Sequence, residues 1–513
     1  MMKKLSKLFT SLVISLMFSS LFAANWKVKV PANAKRFPLI KIVSTENGGK
    51  NDFATVPVTR HVSEAKMSWG DMSDKDTPGP WYEKCTISLN DEFLGDAEVK
   101  ARGNWTTTYP KKSLRIKFAK KQNIAGLHSG EEYKNWVLLA AYKDPSLLRD
   151  AVGFKMYSKM FPGYVSDCQL VELEINGVYF GVYLLAELQE AKRLGLTNAK
   201  KDSADTNIGY LIEFDSYSNT EADNEKFWIN YLGDVKDYNG KRVDELQGGY
   251  TIKSEIKDKA QHDFIADYMN KLWKICYSAV YNKKYYRFDS NYQLQSYTPE
   301  GSNDDEKCRN CISQVINIES LADTYIFNEI VCDPDLYLTS FFMNVDFGEG
   351  KDHLLHFNAP WDFDSSMGNK DFCAAKSSSG NITGKNDMFA GSCQTDVNCQ
   401  HPRIHANPWM VIFIREAWFQ NLVKERWAAI PAQQILTELQ EYIDENSSKD
   451  YQPVFNANLK VWGVSTKHPG VEKELCSASK AAAAKSQAAS AEYFKGWLTN
   501  RFTAVDNIIK NLK

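Results

Sequence analysis

Two carboxylates are the first residues of this 513-residue chain whose placement suggests chemistry. Asp335 precedes and Asp362 follows a segment with hairpin character. Ser340 to Asp346 alternates in polarity, Gly348-Glu349-Gly350 supplies a turn, and His353 to Phe357 returns as a second strand that runs into Trp361-Asp362-Phe363-Asp364. Because the two strands of a hairpin are antiparallel, residues that bracket it are brought to the same end. Phosphoryl transfer needs that layout: one carboxylate takes the proton of the attacking hydroxyl while the other holds Mg²⁺ against the phosphates. The plainer alternative for the pair is structural hydrogen bonding.

The elements that must hold such groups follow an α+β pattern with antiparallel pairing. Val99 to Arg102 and Ser113 to Phe118 alternate as strands, the second with Leu114, Ile116 and Phe118 on one face and Ser113, Arg115 and Lys117 on the other. Gly103 to Pro110 has to turn between them. Trp136 to Ala141 is a short buried strand, and Leu147 to Met160 follows as a helix with Leu148, Val152, Met156 and Met160 at helical spacing. Val171 to Ile175 and Val178 to Leu185 flank Asn176-Gly177, which supplies the positive φ angles of a type I′ hairpin turn. Tyr210 to Phe214 is a further strand, stretches near 260–280 and 317–332 are helical, and the chain is helical from 410 onward. Residues 25–79 carry few periodic signals beyond a strand-like Leu39 to Val43 and are grouped as an N-terminal extension. The Gly/Ser/Asn-rich stretch 365–407 is expected to be a cysteine-containing loop.

Composition excludes several classes of function. With 43% hydrophobic, 25% charged and 13% aromatic residues the chain is globular, and 62 Lys plus Arg against 64 Asp plus Glu leaves no basic field for nucleic acid. Lys3, Lys4 and Lys7 ahead of the apolar run Leu8 to Phe22, closed by Ala23-Ala24, have the form of a secretory signal peptide over residues 1–24. The run is short for a span of about 20 residues, and no later segment is apolar enough for one. The expected product is secreted or held at the cell surface, monomeric and free of the membrane. Its net charge would fall from −2 to −5 on loss of those three lysines. Ten cysteines in an exported chain favour disulfides, at least three of them. A zinc site from Cys308 and Cys311, or from Cys393, Cys399, His401 and His405, is the alternative.

Several segments in order resemble the spore coat protein H (CotH) kinase family. They are Arg102-Gly103-Asn104 with Pro110 to Phe118, Trp136 to Ala140 with Ser146 to Arg149, Glu172 to Leu185, and Trp361 to Asp364 with Gly368-Asn369; the closing Arg426-Trp427 and Trp497, Leu498 and Arg501 also fit. The resemblance runs from about residue 80 to 510 and implies a domain over that range. It implies a divergent, atypical protein-kinase-like fold with an antiparallel N-terminal sheet and a helical C-terminal part. It also implies transfer of the ATP γ-phosphate, with Mg²⁺ or Mn²⁺, to Ser or Thr of a partner protein.

The same resemblance distributes roles. Asp335 matches the family's base, in preference to the neighbouring Asp333, and Asp362 matches the metal-binding Asp, with Asp364 as a second ligand. Arg102, Gly103 and Asn104 correspond to the nucleotide-covering loop, and Lys112, Arg115 and Lys117 are the cations available for the α and β phosphates, with no choice made among them. Glu187 would orient a lysine or contact the nucleotide. Five residues after the base, where ordinary protein kinases place an Asn metal ligand, this chain has Ser340, and Asn369 could compensate. Two classes of function stay open: an exported ATP-dependent protein kinase, and a secreted or surface adhesion protein on the same scaffold without catalysis. A sugar-active enzyme is a distant third, since 13 Trp and 25 Tyr are usually core.

Overall fold

A computed structural model describes residues 24–55, 81–103, 105–244, 246–371, 374–375, 388–397 and 404–513. Residues 1–23 of the proposed signal peptide, Asn104, Cys373, Cys399 and His401 therefore lie outside the described residues.

Alternating apolar residues drive the N-terminal part into a closed ring. Strands β1 (Leu39–Ser44), β2 (Glu83–Leu89), β3 (Glu92–Arg102), β4 (Ser113–Gln122), β5 (Tyr133–Leu139), β6 (Cys168–Ile175) and β7 (Val178–Glu187) form a barrel in the order β1-β2-β3-β4-β5-β7-β6. All neighbours are antiparallel except β1 and β6, whose parallel register (Leu39 opposite Glu172, Ile42 opposite Ile175) closes it. Ile42, Ile87, Val99, Ile116, Trp136 and Leu173 are fully buried inside. Asn176 and Gly177, at φ 51° and 76°, make the β6–β7 turn in the expected hand.

This barrel corrects the expected protein-kinase-like fold. The chain is α+β with helices toward the C-terminus, but its N-terminal strands close on themselves, where a kinase-like lobe would keep an open antiparallel sheet. The strand that closes the ring, β1, comes from the segment grouped with the extension.

A second sheet has the order β14-β13-β8-β10-β9, from β8 (Gly209–Phe214), β9 (Lys226–Trp228), β10 (Gly249–Ile252), β13 (Phe341–Asp346) and β14 (His356–Phe357); β11 (Tyr286–Phe288) and β12 (Leu294–Ser296) form a separate ribbon. Around it lie α1 (Arg149–Met160), α2 (Lys259–Tyr277), α3 (Asp304–Ile312), α4 (Ile318–Val331), α5 (Ala417–Ala429), α6 (Ala432–Asn446), α7 (Gln452–Trp462) and α8 (Gln487–Lys510). Helix α7 packs on β7 and so ties the barrel to the helical part. Helix α4 is buried along its length from Leu321 to Val331. Its Glu329 is held there by the Arg501 guanidinium of α8 at 2.7 Å and by the backbone N–H of Ala390 at 2.9 Å. Among the described residues no helix is long and apolar enough to cross a membrane.

The disulfide expectation is also corrected. All eight described cysteines are free, and six of them are buried. Cys276, Cys308, Cys311 and Cys332 sit in the larger core, where a thiol packs as a small apolar group. Burial pushes the Cys85 thiol up to about 12. No group of three or more His, Cys, Asp or Glu side chains among the described residues is arranged to hold a metal ion.

Alkylation of the unfolded, unreduced protein should therefore label at least these eight thiols; a mass spectrum showing three disulfides would contradict the structure. Arg501→Ala would strand Glu329 without its ion partner in the core, and the unfolding free energy should fall by about 3–5 kcal/mol, seen as a lower denaturant midpoint.

Candidate active site

The segment carrying Asp335 is shaped by the way α4 stops. Cys332 takes a left-handed conformation (φ 49°), and Asp333 then caps a short 3₁₀ turn, Pro334–Tyr337, by accepting the Asp335 N–H at 2.9 Å. The chain enters β13, returns through β14 (Met343 opposite Phe357), and reaches Trp361. Asp362 is left-handed as well (φ 71°, ψ 61°) and starts the 3₁₀ turn Phe363–Ser365. That turn is fixed by the Phe363 N–H, which donates to Asp150 of α1 at 2.7 Å. The Phe363 ring lies so close to α1 that a Cβ on Gly153 would come within 2.2 Å of it, so glycine is required there.

The hairpin brings Asp335 and Asp362 to one site, where each carboxylate feels its neighbours. Burial first, then the Asp364 and Asp335 charges, raise the Asp362 pKa to about 7 against the opposing pull of Lys143 and Arg102. Burial together with the nearby carboxylates also raises Asp150 and Asp333 well above the usual carboxylate range. Asp364 is raised by burial, although the Lys143 ammonium lies 3.1 Å away. Among the described residues neither Asp335 nor Asp362 uses its carboxylate in a hydrogen bond or ion pair. Tyr217 faces the same site and senses both charges. A pocket between α4, β13 and the Trp361–Phe363 segment, lined by Asp333, Ser340 and Trp361, opens beside them.

The expected cations are scattered. Arg102, at the end of β3, reaches the site: its guanidinium lies 5.5 Å from the Trp361 ring centre and feels the Asp362 charge. Gly103 follows at φ 113°, where a Cβ would meet the Thr106 hydroxyl at 2.3 Å. Lys112 is buried and donates to the carbonyls of Thr107 and Tyr109 at 2.9 and 2.7 Å, and burial lowers its pKa to about 8. Arg115 donates to Asn135 at 3.0 Å on the outer face of β4, and Lys117 is exposed beside Glu98 at 3.6 Å. Glu187 is locked into a buried ion pair with Arg193 and also accepts the Asp167 N–H at 2.9 Å. The Asn369 amide is spent on the Lys143 and Asp364 carbonyls and the Ser479 hydroxyl. Ser340 lies within the site's rim, its N–H donating to Glu213 at 3.0 Å.

The cation that sequence reasoning missed is Lys143. Burial opposes its charge, but Asp364 and Glu474 outweigh that and hold the ammonium well above its ordinary pKa. Glu474 lies 3.7 Å from Lys143 and accepts the Tyr109 hydroxyl at 2.8 Å. The sequence signal was a lysine a few residues after a strand with a buried end, in Tyr142-Lys143-Asp144-Pro145.

This donor set suits a hard divalent ion. Mg²⁺ ordinarily takes one or two carboxylates and completes its shell with phosphate oxygens and water, so a three-carboxylate cage is not needed. Asp362 and Asp364, whose repulsion is only partly offset by Lys143, fit such an ion.

Residues 99–505 match the family described as CotH kinase protein. The chain belongs to the CotH kinase family. It is 30% identical over 141 residues to inner spore coat protein H of Bacillus subtilis (strain 168), a stretch covering 27% of this chain and 35% of that protein. The matched stretch thus spans about a third of that relative. In this CotH-family chain the matched range takes in β4 to β14, α1 to α7 and all the acidic residues of the site.

The raised Asp362 pKa has a readable consequence. An acid whose folded pKa lies above its unfolded value near 3.8 loses stability as pH rises between the two, so here the loss runs from about pH 4 to about pH 7. Asp362→Asn should raise the melting temperature, by a margin that grows across that window and is constant above it. A constant difference at every pH would sink the assignment.

Proposed function

We propose that the chain transfers the γ-phosphate of ATP to Ser or Thr hydroxyls of partner proteins. The observation that carries this reading is the pair of carboxylates, Asp335 and Asp362, half-buried at one site yet engaged by no hydrogen bond or ion pair among the described residues. A scaffold with no ligand chemistry gains nothing from such groups, because like charges held together are costly unless something arrives to use them. Family membership supports kinase chemistry. The name of the B. subtilis relative places that protein in a spore coat, which supports an extracellular or surface setting here, as do the residues of the proposed signal peptide.

In this reading Asp335 faces the acceptor hydroxyl and takes its proton as the oxygen attacks phosphorus, while the bond to ADP breaks. Asp362 and Asp364 would hold Mg²⁺ or Mn²⁺, which supplies positive charge against the phosphate oxygens. Arg102 and Lys143 add fixed positive charge that acts on Asp362, and Lys143 keeps Asp364 oriented through its 3.1 Å contact. Trp361 and Phe363, buried against Phe154, hold the backbone of Asp362 in place.

With labelled ATP, divalent metal and an acceptor protein extract, Asp335→Asn should cut turnover by about 10²- to 10⁴-fold with MgATP affinity barely changed. Asp362→Asn should abolish metal-dependent ATP binding measured by calorimetry. If wild type and both variants bound MgATP equally and none transferred phosphate to any acceptor, including itself, an adhesion protein on the same scaffold would be the better reading.

A further inference from the structure

Asp335 lies in the 3₁₀ turn Pro334–Tyr337, and the Leu338 and Thr339 N–H groups donate to its carbonyl at 2.8 and 2.9 Å, so whatever holds Leu338 to Ser340 beyond the turn also bears on the direction of the Asp335 carboxylate. Glu213 near the end of strand β8 and Asp215 just after it both point at the chain just beyond Asp335. Glu213 Oε1 accepts the Ser340 N–H at 3.0 Å and lies 3.2 Å from the Thr339 hydroxyl, which is equally close to Asp215 Oδ1. The Ser216 N–H donates to the Leu338 carbonyl at 2.7 Å. Ser340 is held at φ 60°, a conformation that a residue with a side chain adopts only when its surroundings impose it. Two acids side by side would repel, and Lys253, directly after β10, lies between them with its ammonium 2.8 Å from Glu213 Oε2 and 4.0 Å from Asp215 Oδ2. Asp215 is tied in turn by the Thr251 hydroxyl at 2.8 Å and the Tyr217 N–H at 2.8 Å. The side chains of Glu213 and Asp215 are nearly buried, so each contact acts in a weakly screened environment.

We infer that Glu213 and Lys253 are positioning residues for phosphoryl transfer, fixing the Thr339–Ser340 backbone and through it the direction of the Asp335 carboxylate. This rests on the reading of Asp335 as the base. Neither residue touches a reacting atom. Glu213 is also close enough to raise the charge preference of Arg102, so the network borders both the acceptor and the phosphate side of the site.

The test uses the full chain with Glu213→Ala, Lys253→Met and the conservative Lys253→Arg. Amide hydrogen exchange, which does not depend on activity, should speed up at Thr339 and Ser340 by about tenfold or more in the first two variants and stay near wild type in Lys253→Arg, with the α4 amides unchanged. In the transfer assay the first two should lose about 100-fold in kcat, the loss expected of a misplaced catalytic group, without weaker MgATP binding, and Lys253→Arg should recover most of it. Unchanged exchange at Thr339 and Ser340 would overturn the tether, and full activity with faster exchange would overturn its role in positioning the base. If wild type transfers no phosphate, the kinase reading fails, and the exchange data alone decide whether Glu213 and Lys253 hold this segment.

Discussion

Like charge crowded into a small, shielded volume is the constraint that the rest of this molecule has to accommodate. Among the described residues, Asp150, Asp333, Asp335, Asp362 and Asp364 come together with Lys143 and Arg102 as the opposing charges that act on Asp362. Left to themselves they would separate or take up protons. They stay together because each is carried on backbone that cannot retreat: Asp333 caps its own turn, Asp150 accepts the Phe363 N–H, and Asp362 is set by a left-handed residue next to an aromatic wedge. The hydrophobic core behind them, running from α1 through α4 to β13, supplies the stability that the cluster costs.

The scaffold and the site are separable ideas. The barrel holds Arg102 at the end of one strand and lines up Lys143 after another, while the second sheet and its hairpin hold Asp335 and Asp362. The site therefore lies where two sheets and the helices between them meet, and the chemistry belongs to the side chains there rather than to the class of fold beneath them. A closed barrel also leaves none of its own strands with a free edge, which removes one route to association with other chains.

Much of this was legible in the sequence where the signal is local. The alternation of β4, the Asn176-Gly177 turn and the hairpin between Asp335 and Asp362 all depend on a few neighbouring residues. What was not legible is non-local. Alternation identifies strands but not which edges pair, so an open antiparallel sheet and a closed ring look alike until β1 is seen beside β6. Lys143 was passed over because a lysine is ordinarily solvated, and its partner Glu474 lies far along the chain. Lys112 and Glu187 have the residue types a nucleotide site uses, yet the backbone carbonyls around one and Arg193 beside the other already occupy them. The even cysteine count suggested cross-links, but all eight described thiols are free and six of them are buried as small apolar groups.

The parallel seam between β1 and β6 has a bearing on how the protein is made. As the chain leaves the ribosome, β1 can pair at once with β2, and β3 to β5 can extend the sheet, but its last two strands are not yet available. Until Val178–Glu187 emerges, the nascent sheet carries two open edges in a crowded setting, the condition in which strand edges recruit foreign chains. Closure of the ring thus depends on synthesis having passed α1, and a holding factor that binds exposed strand edges would act in that interval, before any part of the acidic hairpin has been translated.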